Sequence, residues 1–412
     1  MKKFSQLFTA AAMLLVSCHK DTTYFEPGPP VIRMGVLLPL TGTGASAGQS
    51  SNVSTVFALQ DVNAWLGSIG RTETVQLEVA DTRTDTAEAL FQLKDMYSRG
   101  IRLVVGPYSS AEVAAVKPFA DAHGMLVVSA SSVAVSLAVP NDNIFRFVSS
   151  DIVQGSAMGT MLFEDGIRVI VPVIRNDVWG NDLLSATSAA FRGKGGVVDD
   201  VTRYDPTATD FATMLAQVDN RVSALLSVYP SHQVAVYLCS FGEGSPILSS
   251  AGAYPNLDAV KWYGSSAFAE NATILSDTTA AGFAIRHGFP CPVFGLDASA
   301  RNKWEPLIAR IVDSIGRKPE VYALTAYDAI WVGCKTFLTA GLNPEFSTFK
   351  LAFTDEAGSY FGVSGNTTLD ANGDRAAGNY DFWALTPQPA GPEWKVVAVY
   401  NSATGILTRV LK

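Results

Sequence analysis

The chain has 412 residues, of which 48% are hydrophobic and 17% are charged, and this composition excludes an intrinsically disordered protein. Thirty basic and 38 acidic side chains give a net charge of −8. An electrostatic nucleic-acid binder carries a basic stripe, whereas this chain is net acidic. We therefore expect no nucleic-acid partner. The length suggests two or three domains, each large enough to bury a core without disulfide bridges.

The first 17 residues have the features of a secretory signal peptide. Two lysines precede an apolar stretch, residues 7–16, that is too short to span a bilayer. The sequence Leu-Val-Ser-Cys that ends at Cys18 resembles a bacterial lipobox, in which cleavage leaves a lipid-modified cysteine at the new N-terminus. We predict a lipidated Cys18 followed by a tether over residues 18–30. An ordinary secreted protein with an incidental cysteine is the alternative.

From residue 31 onward, short apolar runs alternate with stretches of helical spacing. The apolar runs predict strands over residues 31–38, 75–80, 101–105, 125–128 and 144–148. The stretches between them predict helices, among them 86–99 and 111–123. Strands that alternate strictly with helices indicate a parallel, doubly wound sheet.

The same alternation begins again after residue 148, which predicts a second lobe similar to the first. Its predicted strands cover residues 168–174, 196–203, 224–229 and 261–264. Its predicted helices cover residues 154–164, 183–191, 211–218 and 233–241. Beyond residue 283 the pattern predicts two helices, 298–315 and 322–339, and two strands, 380–385 and 394–400.

No motif in the sequence calls for catalysis, a metal or a cofactor. The glycine-rich residues 41–48 follow the first strand, but their spacing does not match a dinucleotide-binding turn. Such a loop still suits an anionic or polar small ligand. Residues 370–374 have neither a glycine at the sixth place nor the late glutamate that a calcium loop needs, and they predict a turn. We therefore expect a protein that is not an enzyme and that has no cofactor and no metal site.

Three cysteines follow Cys18 in the chain, namely Cys239, Cys291 and Cys334. At most one disulfide can form among them in a compartment that permits disulfides. The interpretation that we favour is that all three are small buried hydrophobic residues.

A series of segments, in order along the chain, carries a family resemblance. The segments are residues 32–42 (IRMGVLLPLTG), 104–110 (VVGPYSS), 128–132, 145–147, 154–155, 179–180, 210–211, 326–329 and 370–375. Together they resemble the leucine/isoleucine/valine-binding protein family, the type I periplasmic binding proteins that serve ABC importers. The resemblance covers residues 31–400.

The resemblance implies an α/β fold with two doubly wound parallel-sheet lobes joined by three crossovers, the periplasmic binding protein-like I architecture. The crossovers are expected near residues 148–151, 285–290 and 361–363. Lobe 1 would then comprise residues 31–148 and 286–362, and lobe 2 residues 149–285 and 363–412. The ligand would lie between the lobes, which agrees with the rule that open parallel sheets bind ligands outside the carboxyl ends of their strands.

The resemblance also implies a set of ligand-binding residues. In lobe 1, loop serines would hold a carboxylate, because hydroxyls and helix N-termini favour an anion. In lobe 2 and on the hinge-side helix, an acid and aromatic side chains would close over the rest of the ligand. The candidates are Ser109, Ser110, Ser131, Ser132, Asp151, Trp179, Tyr229 and Tyr327. The alternative is that the serines only cap helices and the aromatic residues belong to the core.

Two positions depart from the family pattern. Val133 stands where amino-acid binders place a threonine, and Ser266 lies in the segment where they often carry an acid for the ligand ammonium. A buried ammonium without a carboxylate is costly, so Asp151 would have to carry most of the positive charge of an amino-acid ligand. A ligand without an ammonium group is the alternative.

The function that follows from the resemblance is that of an extracytoplasmic solute-binding receptor. It would capture an amino acid or a similar small polar ligand between its two lobes and deliver it to the membrane permease of an ABC importer. It would be lipid-anchored to a membrane on the periplasmic side of the cell envelope. The alternative is a ligand-free lipoprotein interaction module that regulates a cell-envelope enzyme.

Overall fold

The structure is a computed structural model that describes residues 29–389 and 391–410. The predicted signal peptide, Cys18 and most of the tether lie outside the described residues. No helix in the described ranges is long and apolar enough to cross a membrane.

The first lobe is built on a five-stranded parallel sheet with the strand order β2-β1-β3-β4-β5. Its strands and connecting helices are, in chain order, β1 (Val31–Leu38), α1 (Ala45–Ser68), β2 (Thr74–Asp81), α2 (Thr86–Ser98), β3 (Leu103–Val105), α3 (Ser110–His123), β4 (Leu126–Ser129) and β5 (Ile144–Arg146). Most side chains of β1 and all those of β3 and β4 are buried. Burial on both faces explains why these strands read as continuous apolar runs.

The second lobe repeats this arrangement with strands β10-β9-β6-β7, all parallel, and β8 paired to β6. Its elements are α4 (Asp151–Glu164), β6 (Val169–Arg175), α5 (Val178–Gly193), β7 (Val197–Val198), β8 (Thr202–Tyr204), α6 (Ala212–Leu226), β9 (Val234–Cys239), α7 (Gly244–Ala251), β10 (Lys261–Gly264), α8 (Ala272–Ser276) and α9 (Thr278–His287). The prediction of two α/β lobes with parallel sheets is therefore confirmed.

Two of the predicted elements in the second lobe are wrong. The strand predicted over 224–229 is the end of α6 and the turn that follows it, and the helix predicted over 233–241 contains β9, a central strand. All six residues of β9 are buried, so the strand lacks the alternation of a half-exposed strand. A short apolar run of this kind does not distinguish a buried strand from a buried helix.

The remaining elements complete both lobes. They are β11 (Cys291–Phe294), α10 (Arg301–Ile315), α11 (Tyr322–Ala340), α12 (Phe346–Ser359), β12 (Phe361–Gly362), β13 (Gly365–Asn366), β14 (Tyr380–Thr386), β15 (Glu393–Asn401) and β16 (Ile406–Arg409). Helices α1, α10, α11 and α12 cover one face of the first sheet, and α2 and α3 cover the other. Strands β11, β14, β15 and β16 form an additional antiparallel sheet whose core residues belong to the second lobe.

The second crossover lies later than the sequence predicted. Strand β11 pairs with β14, and Phe289, Cys291 and Val293 belong to the core of the second lobe. Residues 286–294, which the sequence-based division assigned to lobe 1, therefore pack in the second lobe.

The third crossover also lies later, because Val363 and Leu369 pack with the core of the first lobe and Asp374 pairs with Arg146 at the end of β5. We propose lobe 1 as residues 31–148 and 295–376, and lobe 2 as residues 149–294 and 377–412.

A buried ion pair joins the first and third crossovers. The guanidinium of Arg146 donates to both carboxylate oxygens of Asp374, with Nε–Oδ1 and Nη2–Oδ2 distances of 2.5 Å. The main chains pair at the same place, because the amide of Arg375 donates to the carbonyl of Arg146. The turn that the sequence predicted over residues 370–374 thus positions an anchor of the hinge.

Candidate ligand-binding site

A small cavity lies between the two lobes. It is lined by Tyr108, Ser109, Ser110, Ser131, Val133, Trp179, Phe241, Ser266, Ala267 and Tyr322. The residues from the first lobe follow β3 and β4, and Tyr322 begins α11. Those from the second lobe follow β6, β9 and β10. The cavity therefore lies outside the carboxyl ends of both parallel sheets, where α/β proteins bind ligands.

Ser109 caps helix α3 and also lines the cavity. Its Oγ accepts from the amide of Glu112 at 3.2 Å, and its own amide donates to Glu112 Oε2 at 2.8 Å. Burial raises the pKa of Glu112, although the hydrogen bonds from Ser109 oppose this. The helix offers no acceptor for the amides of Ser110 and Ala111 in its first turn. These amides and the helix dipole favour an anion at this end of the cavity.

The other three candidate serines tie the two loops of the first lobe together. The Oγ atoms of Ser110 and Ser132 lie 2.9 Å apart, and Ser110 Oγ also accepts from the amide of Val133 at 3.3 Å. Ser131 Oγ donates to the carbonyl of Tyr108 at 2.8 Å. Ser110 and Ser131 line the cavity, whereas Ser132 lies behind them.

Two stacked aromatic rings form the wall of the second lobe. The ring of Trp179, in the first turn of α5, stacks on Phe241 with a centroid separation of 4.8 Å and an interplanar angle of 29°. The guanidinium of Arg175 lies 4.4 Å from the centroid of Phe241 and donates to Asp177 and Glu243, both at 2.5 Å. Burial lowers the pKa of Arg175, but the two acids outweigh this and raise the pKa.

The cavity is almost filled by the protein itself. The ring of Tyr108 lies 5.8 Å from Phe241 across the cleft and 6.0 Å from Tyr322 on the hinge side. The remaining volume is about 10 Å³, which is room for about one water molecule. A ligand of amino-acid size therefore requires the cleft to open or a side chain to move.

Asp151 is not one of the residues that line the cavity, but it adjoins two of them. Its amide donates to the carbonyl of Val133 at 2.8 Å, and, after burial, its charge contributes to the raised pKa of Tyr322. Its carboxylate is fully buried and has no hydrogen-bond partner among the described residues, and neither has the side-chain amide of Gln154. Burial raises the pKa of Asp151 well above its ordinary value, although the charge of Arg146 opposes this.

The structure does not bring Tyr229 and Tyr327 to the cavity, which corrects their expected placement. Tyr229 follows α6 and precedes β9, so it lies at the amino end of that strand, opposite the cleft. Its candidacy depended on the wrong strand prediction over 224–229. Tyr327 lies in α11, where its hydroxyl donates to Asp61 of α1 at 2.8 Å.

Three lining aromatic residues were missed by the sequence analysis. Phe241 follows the strand that was predicted as a helix, so its position at a carboxyl end was not visible in the pattern. Tyr108 lies inside a family-like segment, next to the serines, and that position was the available signal. Tyr322 begins a helix of which most residues are buried, and it could not be distinguished from the core.

The glycine-rich loop contacts the other lobe instead of lining the cavity. The amide of Gly242 donates to the carbonyl of Thr43 at 3.1 Å, and the amide of Ala272 donates to Ser46 Oγ at 3.0 Å. A Cβ atom on Gly48 would lie 2.0 Å from the carbonyl oxygen of Pro39. The close packing of α1 on the end of β1 therefore requires glycine there.

The described cysteines and acids form no further chemical site. Cys239, Cys291 and Cys334 are buried and have free thiols, and burial raises the pKa of Cys334 to about 12. Within residues 29–389 and 391–410 there is no group of three or more His, Cys, Asp and Glu side chains that could hold a metal ion.

Fold and cleft together define a two-lobed α/β binding protein. A family model described as a periplasmic binding protein matches residues 31–388. The chain therefore belongs to the periplasmic binding protein family. The fold of this family is that of a solute-binding receptor. Membership of the family implies that the protein lies outside the cytoplasm.

The chain is also similar to a curated protein and, in its fold, to solved structures. The chain is 26% identical to the uncharacterized protein MJ1266 of Methanocaldococcus jannaschii, over 95% of this chain and 96% of that protein. The leucine-binding protein LivK of Thermotoga maritima has a TM-score of 0.75 at 18% identity, covering 90% of this chain and 99% of LivK. A solute-binding protein of an ABC transporter from R. palustris, solved in complex with benzoate, has a TM-score of 0.73 at 17% identity, covering 89% and 96% of the two chains.

Proposed function

We propose that this protein is a solute-binding receptor that captures a small carboxylate between its lobes and delivers it to the permease of an ABC importer. The observation that carries the proposal is the position of the cavity, at the carboxyl ends of both parallel sheets. Each lobe contributes one side, so a ligand that contacts both sides stabilises only the closed state.

The two sides of the cavity differ in chemistry. The first lobe supplies hydroxyls and helix amides around Ser109, Ser110 and Ser131, which suit a carboxylate. The second lobe supplies Trp179 and Phe241, which suit an apolar body. LivK, by its name a leucine-binding protein, and the benzoate complex both concern a small carboxylate, which supports this ligand class for the chain.

The proposed receptor is anchored to a membrane and has no catalytic activity. We propose that Cys18 carries a lipid that anchors the protein to a membrane on the periplasmic side of the envelope, and that residues 18–30 are the tether. The receptor would bind and release its ligand unchanged, without catalysis or a cofactor.

A thermal-shift screen tests the proposal. The mature protein is heated with a panel of amino acids and of the corresponding acids that lack the amine. At least one compound should raise the melting temperature in a concentration-dependent manner, because a ligand that binds only the folded state stabilises it by mass action. A folded protein that no compound in either set stabilises would contradict the receptor function.

The volume of the cavity favours a second candidate function. A cleft with about 10 Å³ of free space is also what a ligand-free interaction module would have, in which Tyr108, Phe241 and Tyr322 hold the lobes together permanently. Such a lipoprotein would regulate a cell-envelope enzyme by contact. Capture of the same envelope enzyme by the wild type and by a cleft-filling Ser110→Trp variant, together with no stabilisation in the screen, would favour this candidate.

A further inference from the structure

A second cavity, of about 630 Å³, lies at the hinge. This hinge cavity is lined by residues 294–298, by positions between 364 and 381, and by the end of β15 with the turn that follows it. It shares no lining residue with the cavity between the lobes. Its volume is within the range of small-molecule binding sites in proteins.

The hinge cavity lies where the chain passes from one lobe to the other. Two of the lobe boundaries, between residues 294 and 295 and between residues 376 and 377, are formed by residues that line it. The amide of Gly295 donates to the carbonyl of Asn379 at 2.8 Å, so the second and third crossovers are bonded to each other in its wall. A rotation of the lobes must therefore change the shape of the hinge cavity.

Of the described residues that line the hinge cavity, three are charged, and two of these already have partners. Asp297 accepts from the amide and the hydroxyl of Ser299, at 2.8 and 2.6 Å. Arg375 donates to the hydroxyl and the carbonyl of Ser364, at 2.8 and 2.6 Å, and its charge offsets that of Asp297. These two side chains leave no net charge for a ligand.

The third charged residue, Asp381 of β14, has no partner. Its carboxylate makes no hydrogen bond or ion pair with any residue in the ranges that the structure describes, and burial alone raises its pKa to about 6. A Cβ atom on Gly295 would lie 3.0 Å from Asp381 Oδ1, so the absence of a side chain at residue 295 leaves room beside the carboxylate. A half-buried carboxylate without a partner is unfavourable, and a cation beside it would relieve the cost.

The rest of the wall favours an organic cation over a metal ion. Phe294, Leu296, Val399 and four alanines contribute apolar surface. A metal ion needs several ligands, and the described part of the chain contains no group of three or more His, Cys, Asp and Glu side chains that could hold one. An organic ammonium pairs with a single carboxylate and buries its carbon body against the apolar wall.

We infer that the hinge cavity binds a small organic ammonium compound, with its ammonium at Asp381 and its apolar body against Phe294, and that this compound favours the closed state of the receptor. The hinge cavity is present while the cleft is closed, so a compound that fits it stabilises that state and increases the affinity for a solute in the cleft. The effect on solute affinity rests on the proposed receptor function, whereas the ammonium site does not.

Titration calorimetry at constant ionic strength tests the ammonium site. The probes are cyclohexylammonium and cyclohexanol, which has a similar shape but no charge. We expect one equivalent of cyclohexylammonium to bind, at least about 10-fold more tightly than cyclohexanol, because only the ammonium forms a charge-assisted hydrogen bond with the carboxylate. Equal affinities of the two probes, or no binding of cyclohexylammonium, would overturn the inference.

Three variants locate the bound ammonium. Asp381→Asn keeps the shape of the side chain and removes its charge, so the affinity for cyclohexylammonium should fall at least about 10-fold. Asp313→Asn, at an exposed position of α10, is the matched control and should bind as the wild type does. Ser110→Trp fills the cleft and should also leave this binding unchanged. Wild-type affinity in Asp381→Asn, or loss of binding in Ser110→Trp, would place the ammonium elsewhere and overturn the inference. The thermal melting of each variant confirms that it is folded.

The coupling between the two sites is measured with a solute identified in the thermal-shift screen. Saturating cyclohexylammonium should tighten the binding of this solute to the wild type about 5-fold, and should not do so in Asp381→Asn. Unchanged or weaker binding would overturn the effect on closure. If cyclohexylammonium binds at Asp381 although no compound in the screen stabilises the protein, the receptor function and the coupling fail, and the ammonium site stands.

Discussion

The ring of Tyr108 in the first lobe lies 5.8 Å from the ring of Phe241 in the second, at an interplanar angle of 63°. This contact joins the lobes across the middle of the cleft, and polar contacts join them nearer the rim. They include the hydrogen bond from the amide of Ser136 to Asp182 at 2.8 Å, the bonds of Gly242 and Ala272 to the glycine-rich loop and the exposed ion pair of Lys318 with Glu393. Opening of the cleft therefore breaks one ring contact and several polar contacts, and water can satisfy the polar groups that become exposed.

The hinge ion pair should be among the most sensitive polar contacts of the fold. Arg146 and Asp374 are almost fully buried, so Arg146→Ala leaves an uncompensated carboxylate in the interior. We expect a loss of about 3 to 5 kcal/mol in the free energy of unfolding, measured by urea denaturation. Arg301→Ala breaks the exposed pair with Glu305 and should cost about 1 kcal/mol or less. Equal losses in the two variants would contradict the role of the buried pair.

Glu270 should make stability depend on pH. Burial raises its pKa to about 8, and the negative charge of Glu320 adds to this effect. The folded state therefore holds the proton more tightly than the unfolded state, and the resulting stabilisation is full below about pH 4.5 and lost as the pH rises to about 8. Glu270→Gln should thus raise the melting temperature at pH 8 but not at pH 4.5, relative to the wild type. The control Glu305→Gln, at an exposed position, should not reproduce this difference.

The predicted lipid anchor can be tested on the intact cell envelope. We expect the mature N-terminus to be Cys18 with acyl chains on its sulfur and amine, because several chains together hold a protein firmly at about 0.8 kcal/mol per buried methylene. Cys18→Ser should release the protein into the soluble fraction. Mass spectrometry of the mature N-terminus checks the assignment, and an unmodified N-terminus at any other residue would contradict it.

The Ser110 hydroxyl should contribute to binding of the carboxylate. It bonds Ser132 and the amides of Val133 and Ala134, so Ser110→Ala both removes a donor and loosens the loop. We expect the affinity for an anionic ligand from the screen to fall about 10- to 100-fold, since a lost hydrogen bond to a charged group costs about 1.5 to 3 kcal/mol. Ser299→Ala, an exposed serine in another part of the first lobe, serves as the control. Unchanged affinity in Ser110→Ala would place the carboxylate elsewhere.

Much of the fold could be predicted from the sequence, because buried parallel strands such as β1, β3 and β4 are short apolar runs with clear boundaries. There are two exceptions. One is β9, whose apolar run carries no periodicity. The other is the antiparallel sheet of β11 and β14, because these strands pair although they are far apart in the sequence. Strand order and crossover positions depend on such contacts and not on local pattern.

The site was predictable only in part, because the position of each side chain depends on the element that carries it and on how that element packs. Ser109 and Ser110 follow β3 and Ser131 follows β4, so the correctly predicted strands placed these three serines beside the cavity. The expected position of Tyr229 was wrong because the strand predicted over residues 224–229 is not a strand. Asp151 was placed near the ligand by alignment, but the direction of its side chain depends on how α4 packs beneath Val133, which no local pattern reveals.

The central claim is that a ligand is held between two lobes that close upon it. Small-angle X-ray scattering measures this most directly, with the radius of gyration compared before and after saturation with a ligand of confirmed affinity. The radius of gyration should fall, because the ligand contacts Ser110 in one lobe and Phe241 in the other only when the cleft is closed. An unchanged radius of gyration at saturation would contradict capture between the lobes.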